Sequence, residues 1–317
     1  MRRARTVRLP LIAAAIVALA PLSSHDGVAK HAAIVRIPDL YQDAYLSNVF
    51  DWRGVTRNPG NGLPMVRSPG LTRPQWNYVT IALYGLQRWS AWVHHRDGAA
   101  ARARAIEAAD FLVARQGRDG AWRYRYGFTY VHGHISERIA PGWVAAQAQG
   151  NAISFLIRMY AATGRWRYIA SAVRALRPFT RPVAAGGLVV DFDGHRLLAG
   201  FPTARPSLTL EDFELALIGV ADLAPYSAQA QVMLNGLLAN FFWSLPLYTS
   251  PDGRPYFDLV QLFARTHGLT DKSAAAFCVI GLRTLLAGYR SPRGETALAR
   301  WTAALAEWPS PTPRSPD

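Results

Sequence analysis

Cysteine is almost missing from this chain. Cys278 is the only one in 317 residues, so no intramolecular disulfide can form and a disulfide-stapled secreted scaffold is excluded. Set in an apolar run, Cys278 reads as a small buried hydrophobe. Lysine is nearly missing too: Lys30 and Lys272 are the only two, and every other basic side chain is Arg. Acidic residues are few, 21 against 35 basic ones, which leaves a formal net charge of +14. No interior apolar run is long enough for a membrane-spanning helix. The positive charge is spread along the chain without any nucleic-acid-binding motif, so nucleic acid is not an expected partner. What remains is abundant apolar surface. A chain that is 50% hydrophobic at this length can bury a large core and is not intrinsically disordered.

Arginine-dominated basicity suits bidentate recognition of carboxylates, sulfates or phosphates. It also arises from the codon bias of a GC-rich genome. An acidic polymer other than nucleic acid fits the charge. The N-terminus reads as an export signal, in which Arg2, Arg3, Arg5 and Arg8 precede an apolar run from Leu9 to Leu22. Gly27-Val-Ala29 offers a cleavage site, whereas Ala18-Leu-Ala20 is blocked by Pro21, so an uncleaved anchor is an alternative. The expected location is periplasmic, secreted or membrane-anchored, with membrane contact only through that anchor. Oligomeric state is not legible.

Residues 1–29 are thus read as signal or anchor, 30–73 as irregular, 74–307 as one helical domain and 308–317 as a disordered tail. Apolar periodicity predicts helix pairs over 75–94 with 98–115, 141–163 with 166–177, 209–224 with 227–243, and 271–289 with 292–307. Pro74 and Pro292 suit first-turn positions, and Thr209, Ser227 and Ser291 suit N-caps. Between the pairs lie β-like stretches at 121–131, 187–198 and 254–260, the second turning at Asp193-Gly194. Four antiparallel helix pairs with hairpins gathered at one end predict a mainly α protein, an α/α toroid of about four helix hairpins with short β-hairpins at one mouth. That mouth is the natural cleft for an extended glycan.

The segment from Pro141 to Ser154 is the most distinctive. Ala145, Ala146, Ala148, Gly150 and Ala152 leave room for the close approach of another backbone or a ligand. Trp143, Gln149 and Asn151 offer an aromatic plate and amides for sugar recognition, or else internal hydrogen bonds in a tight helix pair. Just upstream, Tyr130, His132, His134, Glu137 and Arg138 form a polar cluster. Two histidines one residue apart share a strand face and could shuttle protons or grip a ligand, although such a loop is often merely solvated. Without a convincing third ligand they make a weak metal site, and no metal or cofactor is expected.

Several blocks together resemble the D-glucuronyl C5-epimerase family. They are Asn77-Tyr-Val-Thr-Ile-Ala-Leu-Tyr-Gly-Leu86, Ala109-Asp-Phe-Leu-Val113 leading to Gln116, Asp119-Gly-Ala-Trp122, Pro141–Ser154, Gly186-Gly187, Phe201-Pro-Thr203, Ala216–Leu223, Leu245-Pro-Leu-Tyr248 and Tyr256-Phe-Asp-Leu259. They follow the family's order and spacing over about residues 77–290. The resemblance implies a helical toroid acting on uronate residues of a polysaccharide by removing the C5 proton and returning one to the opposite face. It also implies a base, an acid and groups that stabilise a dianionic intermediate.

The family's Glu-Glu-Tyr-Pro-Thr signature falls on Ala199-Gly-Phe-Pro-Thr203, so its Glu is replaced by Gly200 and its Tyr by Phe201. The family's Tyr-Asp-Leu-Arg-His falls on Phe257-Asp-Leu-Val-Gln261, which keeps only the Asp and Leu. Its later Asp-Tyr-His element falls on about Ser273-Ala-Ala275. The residues left as catalytic candidates are His134, Glu137, Tyr256 and Asp258. Those left for substrate binding are Tyr130, His132, Arg138, Trp143, Gln149, Asn151, Phe201 and Arg205. Glu211, Asp212 and Glu214 read instead as carboxylates favouring a helix N-terminus. The expected partner is an acidic polysaccharide. Two alternatives to an epimerase are a glycan-binding or assembly homologue without catalysis and, less favoured, a uronate lyase beginning with the same proton abstraction.

Overall fold

The computed structural model describes residues 55–67, 71–132, 135–259 and 271–308. The chain divides into residues 1–33 and 34–317, and everything described belongs to the second unit. The expected signal or anchor, most of the irregular segment, His134 and the tail from 309 onward lie outside the described residues.

A short hairpin, β1 (Val55–Arg57) with β2 (Pro64–Val66), leads into the first helix pair, α1 (Tyr78–Val93) and α2 (Gly98–Arg115). The hairpin β3 (Phe128–His132) and β4 (Ile135–Ile139) precedes α3 (Ala146–Thr163) and α4 (Trp166–Arg174). The hairpin β5 (Val189–Phe192) and β6 (His195–Leu198) precedes α5 (Leu210–Leu223) and α6 (Ala228–Ser244). The last pair is α7 (Lys272–Gly288) and α8 (Pro292–Ala306). The inner helices α1, α3, α5 and α7 pack on one another in that order, and each carries an outer partner. This is the α/α toroidal class that the sequence predicts. No described helix is long and apolar enough to cross a membrane.

The two central inner helices are buried on every side: α3 is buried continuously from Ala148 to Met159 and α5 from Asp212 to Leu223. A helix apolar all round belongs inside a core. The two approach closely because Gly150 and Gly219 meet. A Cβ on Gly219 would lie 2.7 Å from the Gly150 Cα, and one on Gly150 would lie 2.7 Å from the Ala216 Cα. The small residues of the 141–154 segment therefore serve backbone-to-backbone packing. A buried ion pair between Arg158 and Asp222, 2.5 Å apart, joins the same helices near their other end.

Helix starts follow their caps. Ser227 and Ser291 accept from Ala230 N and Gly294 N, satisfying amides that have no partner inside the helix. Thr209 precedes α5 but does not cap it, because its hydroxyl donates to the Asp212 carboxylate instead. Two expected boundaries shift. Helix α1 starts after Asn77, which caps Thr80 N, because Gln75 pairs with Val66 in a backbone bridge. Helix α3 starts at Ala146 and not at 141, since Gly142 N donates to Tyr124 O and Tyr124 N to Trp143 O. Residues 121–127, expected as β, form no strand; pairing begins at Phe128.

The loops entering α3 and α5 are tied to each other. Ala146 N donates to Gly200 O at 3.1 Å, Leu210 N to Phe257 O at 2.9 Å and Leu259 N to Leu208 O at 3.2 Å. These bonds gather β3–β4, the 199–209 loop and the 256–259 segment over the N-terminal ends of the inner helices.

Candidate functional site

At that end, aromatic rings and carboxyl groups from four parts of the chain converge. Trp143 stacks on Tyr124 with ring centres 3.8 Å apart and donates its Nε1–H to Tyr126 O at 2.7 Å. Phe201 packs against Phe128 at 5.3 Å, Tyr130 at 5.6 Å and Trp143 at 5.8 Å. Beside this layer, Tyr130 donates its hydroxyl to Asp258 Oδ2 at 3.0 Å, joining β3 to a residue 128 positions away. Asp258 is only 2% exposed, and its segment bridges Thr209 at the entrance to α5. Burial pushes the Tyr130 hydroxyl far above the usual phenol range, and the charges of Asp258 and Asp212 add to the rise.

The first turn of α5 carries the acids. Asp212, buried beside Thr209, has its pKa raised to about 6 by desolvation, against the lowering effect of the Thr209 hydrogen bond. Glu211 accepts from Gln147 Nε2 at 3.2 Å, and desolvation followed by the charges of Asp212 and Asp271 raises it to about 7. Glu214 is 0% exposed, and neither carboxyl oxygen has a hydrogen-bond partner among the described residues. Burial and Glu211 push it well above the usual carboxylate range. Gly281 of α7 makes room for it, as a Cβ there would fall 2.9 Å from Glu214 Cδ. Tyr248, fully buried with its hydroxyl donating to Leu208 O at 3.0 Å, lies in the field of Asp258, Glu214 and Asp212. Carboxyl groups held near neutrality can give and take protons at physiological pH, and strongly shifted groups clustered at a mouth mark candidate chemistry.

The structure sorts the sequence candidates. Tyr130, Phe201 and Asp258 come together. Glu137 faces Tyr130 in the hairpin register and accepts from Ala204 N at 2.5 Å, which fastens β4 to the 199–209 loop. Arg138 and Arg205 are exposed near the same loops. Tyr256 is buried, its N–H bonded to Tyr248 O. His132 ends β3 opposite Ile135, and His134 lies outside the described residues, so the paired-histidine idea gains no geometry.

Three candidates are corrected. Gln149, expected at a sugar, is 0% exposed; its amide accepts from Trp122 N at 3.0 Å and donates to Gly120 O at 3.1 Å and Ala175 O at 3.0 Å. Asn151 is likewise 0% exposed within α3. Trp143 is buried in the aromatic layer, supporting the site without presenting a face to it. The sequence reading assigned Glu211, Asp212 and Glu214 to helix-end electrostatics and so missed them. The available signal was three acids within four positions at the start of a helix whose only other charged residue is Asp222.

Residues 116–273 match the family model described as the D-glucuronyl C5-epimerase C-terminus. This segment belongs to the D-glucuronyl C5-epimerase C-terminal family. The D-glucuronyl C5-epimerase of Caenorhabditis elegans is 31% identical over 166 residues, which is 47% of this chain and 26% of that protein. The chain thus matches about a quarter of the length of that curated relative. Among solved structures, a reducing end xylose-releasing exo-oligoxylanase aligns over 84% of this chain and 70% of its own, with a TM-score of 0.55 and 13% identity. An unsaturated glucuronyl hydrolase from Streptococcus agalactiae aligns over 74% of this chain and 59% of its own, with a TM-score of 0.49 and 19% identity. The oligoxylanase match supports the shared helical fold and nothing further.

Within the matched segment, the two vacated signature positions have a spatial explanation. At Gly200, the volume a side chain would occupy holds the Asp212 carboxylate and the Thr209 hydroxyl. At Phe201, an apolar ring packs among Phe128, Tyr130 and Trp143.

Proposed function

We propose that this protein is a C5-epimerase-like enzyme acting on uronate residues of an acidic polysaccharide at the mouth above α3 and α5. The observation that carries the reading is the convergence, inside the family-matched segment, of the Tyr130–Asp258 pair with Glu211 and Asp212, whose pKa values are raised to about 7 and about 6.

The reaction removes the proton on C5, leaving the electron pair delocalised into the adjacent carboxylate, and then protonates C5 from the other face. In this reading the Tyr130 oxygen takes the C5 proton as its own proton passes to Asp258. A carboxylic acid of the α5 first turn, Glu211 with Asp212 beside it, donates the incoming proton. Each proton lost is matched by one gained, and no electrons leave the substrate. Glu211, with its pKa raised to about 7, also donates a hydrogen bond to the dianionic intermediate while protonated, and the low-polarity walls of Phe201 and Phe128 strengthen it.

The second reading, a glycan-binding homologue without turnover, draws on Gly200 and Phe201, which lack the ionisable groups of the signature. Incubation with heparosan in D₂O separates the two. Deuterium at C5 of recovered uronates, with iduronate formed, supports the epimerase. Saturable binding with no exchange establishes the binding protein. Unsaturated chain ends reveal a lyase.

A further inference from the structure

A separate cleft opens across the aromatic layer from the carboxyl cluster, with a volume of about 450 Å³, and its walls include Tyr78, Tyr124, Arg115, Arg123 and Arg125. No acidic side chain lines it among the described residues. Arg123 is committed to the wall: it donates to Asp119 Oδ2 at 2.7 and 2.9 Å, to Gly142 O at 2.8 Å and to Gly186 O at 3.0 Å. Arg115 and Arg125 are exposed and make no ion pair or hydrogen bond among the described residues; the Arg115 guanidinium lies over the Phe111 ring at 5.2 Å. Both act electrostatically on the Tyr78 hydroxyl, lowering a pKa that burial raises, so their charges converge on one point of the wall. Two unspent guanidiniums beside a phenol, at a cleft with no opposing carboxylate, are an oxyanion receptor.

We infer that this cleft is a second, non-catalytic subsite that binds the carboxylate of a further uronate in the same polymer chain, with Arg115 and Arg125 as its anion-binding residues. The inference rests on the reading that the protein acts on a uronate polymer. Ring contacts run from Tyr124, in the cleft wall, through Trp143 and Phe201 to Tyr130 at the carboxyl site, so the two places lie on either side of one packed layer. A polymer carries several carboxylates, so a chain long enough to reach both places would be held twice, and a subsite of this kind would favour chains over single uronates.

Calorimetry on the full-length protein tests this with a heparosan hexasaccharide, the same hexasaccharide with its carboxyl groups reduced to alcohols, and an N-sulfated form. Native protein is expected to bind the acidic hexasaccharide at least tenfold more tightly than the reduced one. Arg115→Gln/Arg125→Gln should erase that preference and flatten the salt dependence, while Arg115→Lys/Arg125→Lys retains part of it. Neither pair should shift the melting temperature, since both side chains are exposed. Equal affinity of native and Gln variants for the acidic hexasaccharide would overturn the subsite. Arginine-dependent binding of only the sulfated form would overturn the assignment to a carboxylate. The readout is binding, so native protein that shows arginine-dependent affinity without C5 exchange retains the subsite and loses the epimerase reading.

Discussion

Gly200 and Asp212 share one volume: a Cβ on Gly200 would lie 3.0 Å from the Asp212 Cγ and closer still to its Oδ2. The residue with no side chain, in the loop entering α5, admits the carboxyl that rises from the first turn of that helix. Asp212 then accepts the Thr209 hydroxyl that would otherwise cap the helix. Putting the family's Glu back at position 200 would collide with this arrangement. The missing side chain at position 200 and the place of the Asp212 carboxyl are thus a single packing fact.

Gly200→Ala should therefore destabilise the protein by about 1–3 kcal/mol, the usual cost of forcing atoms into a filled site. In the Asp212→Ala background the same change should cost less, giving a coupling of about 0.5–3 kcal/mol in a double-mutant cycle followed by urea denaturation. Additive costs would mean that the two residues do not compete for the space.

The raised carboxyl groups set a pH dependence with a definite sign. Asp212 and Glu211 bind protons more tightly folded than unfolded, with folded values of about 6 and about 7. The folded state therefore holds more protons between the ordinary carboxylate range, about pH 4, and pH 7. Stability is fully present below that window and falls as pH rises through it. The melting temperature should be higher at pH 5 than at pH 8. Asp212→Asn with Glu211→Gln should reduce the difference, and a difference left at its native size would remove these two groups as its source.

Gly150→Ala tests the helix contact on which the inner arc depends. The new methyl would lie 2.7 Å from the Ala216 Cα, and backbone cannot step aside as a flexible side chain can. The expected loss is about 1–3 kcal/mol or more, read as a lowered urea midpoint. In an isolated helix the same change would stabilise, because Ala is the better helix former. A gain in stability would show that α3 and α5 do not pack as closely as described.

Much of the fold was legible in the sequence because helix pairing is written locally. Ser227 and Ser291 stand where caps belong, and Asp193-Gly194 turns β5 into β6 with both residues at positive φ, 49° and 76°. The start of α3 was not legible, since what stops the helix from beginning at 141 is backbone pairing with Tyr124, a distant partner that periodicity does not register. The site followed the same division. Phe201 and Asp258 fell within recognisable blocks. Gln149 was misread because its partners, Gly120, Trp122 and Ala175, lie 26 to 29 residues away. The acids of α5 were misread because an amphipathic surface helix and a buried inner helix begin with the same letters. Only the packing of α3 and α7 around α5 buries Glu214 as a carboxyl group with no hydrogen-bond partner among the described residues.

Tyr130 and Asp258 carry the sharpest test of mechanism. The hydroxyl is held on Oδ2 at 3.0 Å, and neither residue belongs to a helix whose loss would confuse the result. Tyr130→Phe removes the oxygen that would take the C5 proton while keeping the ring against Phe201. Exchange of C5 hydrogen in D₂O should fall at least a hundredfold, the lower end of what a positioned acid–base group contributes (about 10²–10⁴). Binding of a heparosan hexasaccharide should change by less than tenfold. Asp258→Asn should lower exchange comparably, because an amide cannot accept the relayed proton. Glu211→Gln should also lower exchange and abolish any limb of the pH–rate profile near pH 7, the value to which its pKa is raised. If Tyr130→Phe exchanges at the native rate while Glu211→Gln does not, the proton is taken by another group and the relay through Asp258 is wrong. A Tyr130→Phe protein that loses exchange only in proportion to a lowered melting temperature would assign the hydroxyl to holding the hairpin over the mouth, not to chemistry.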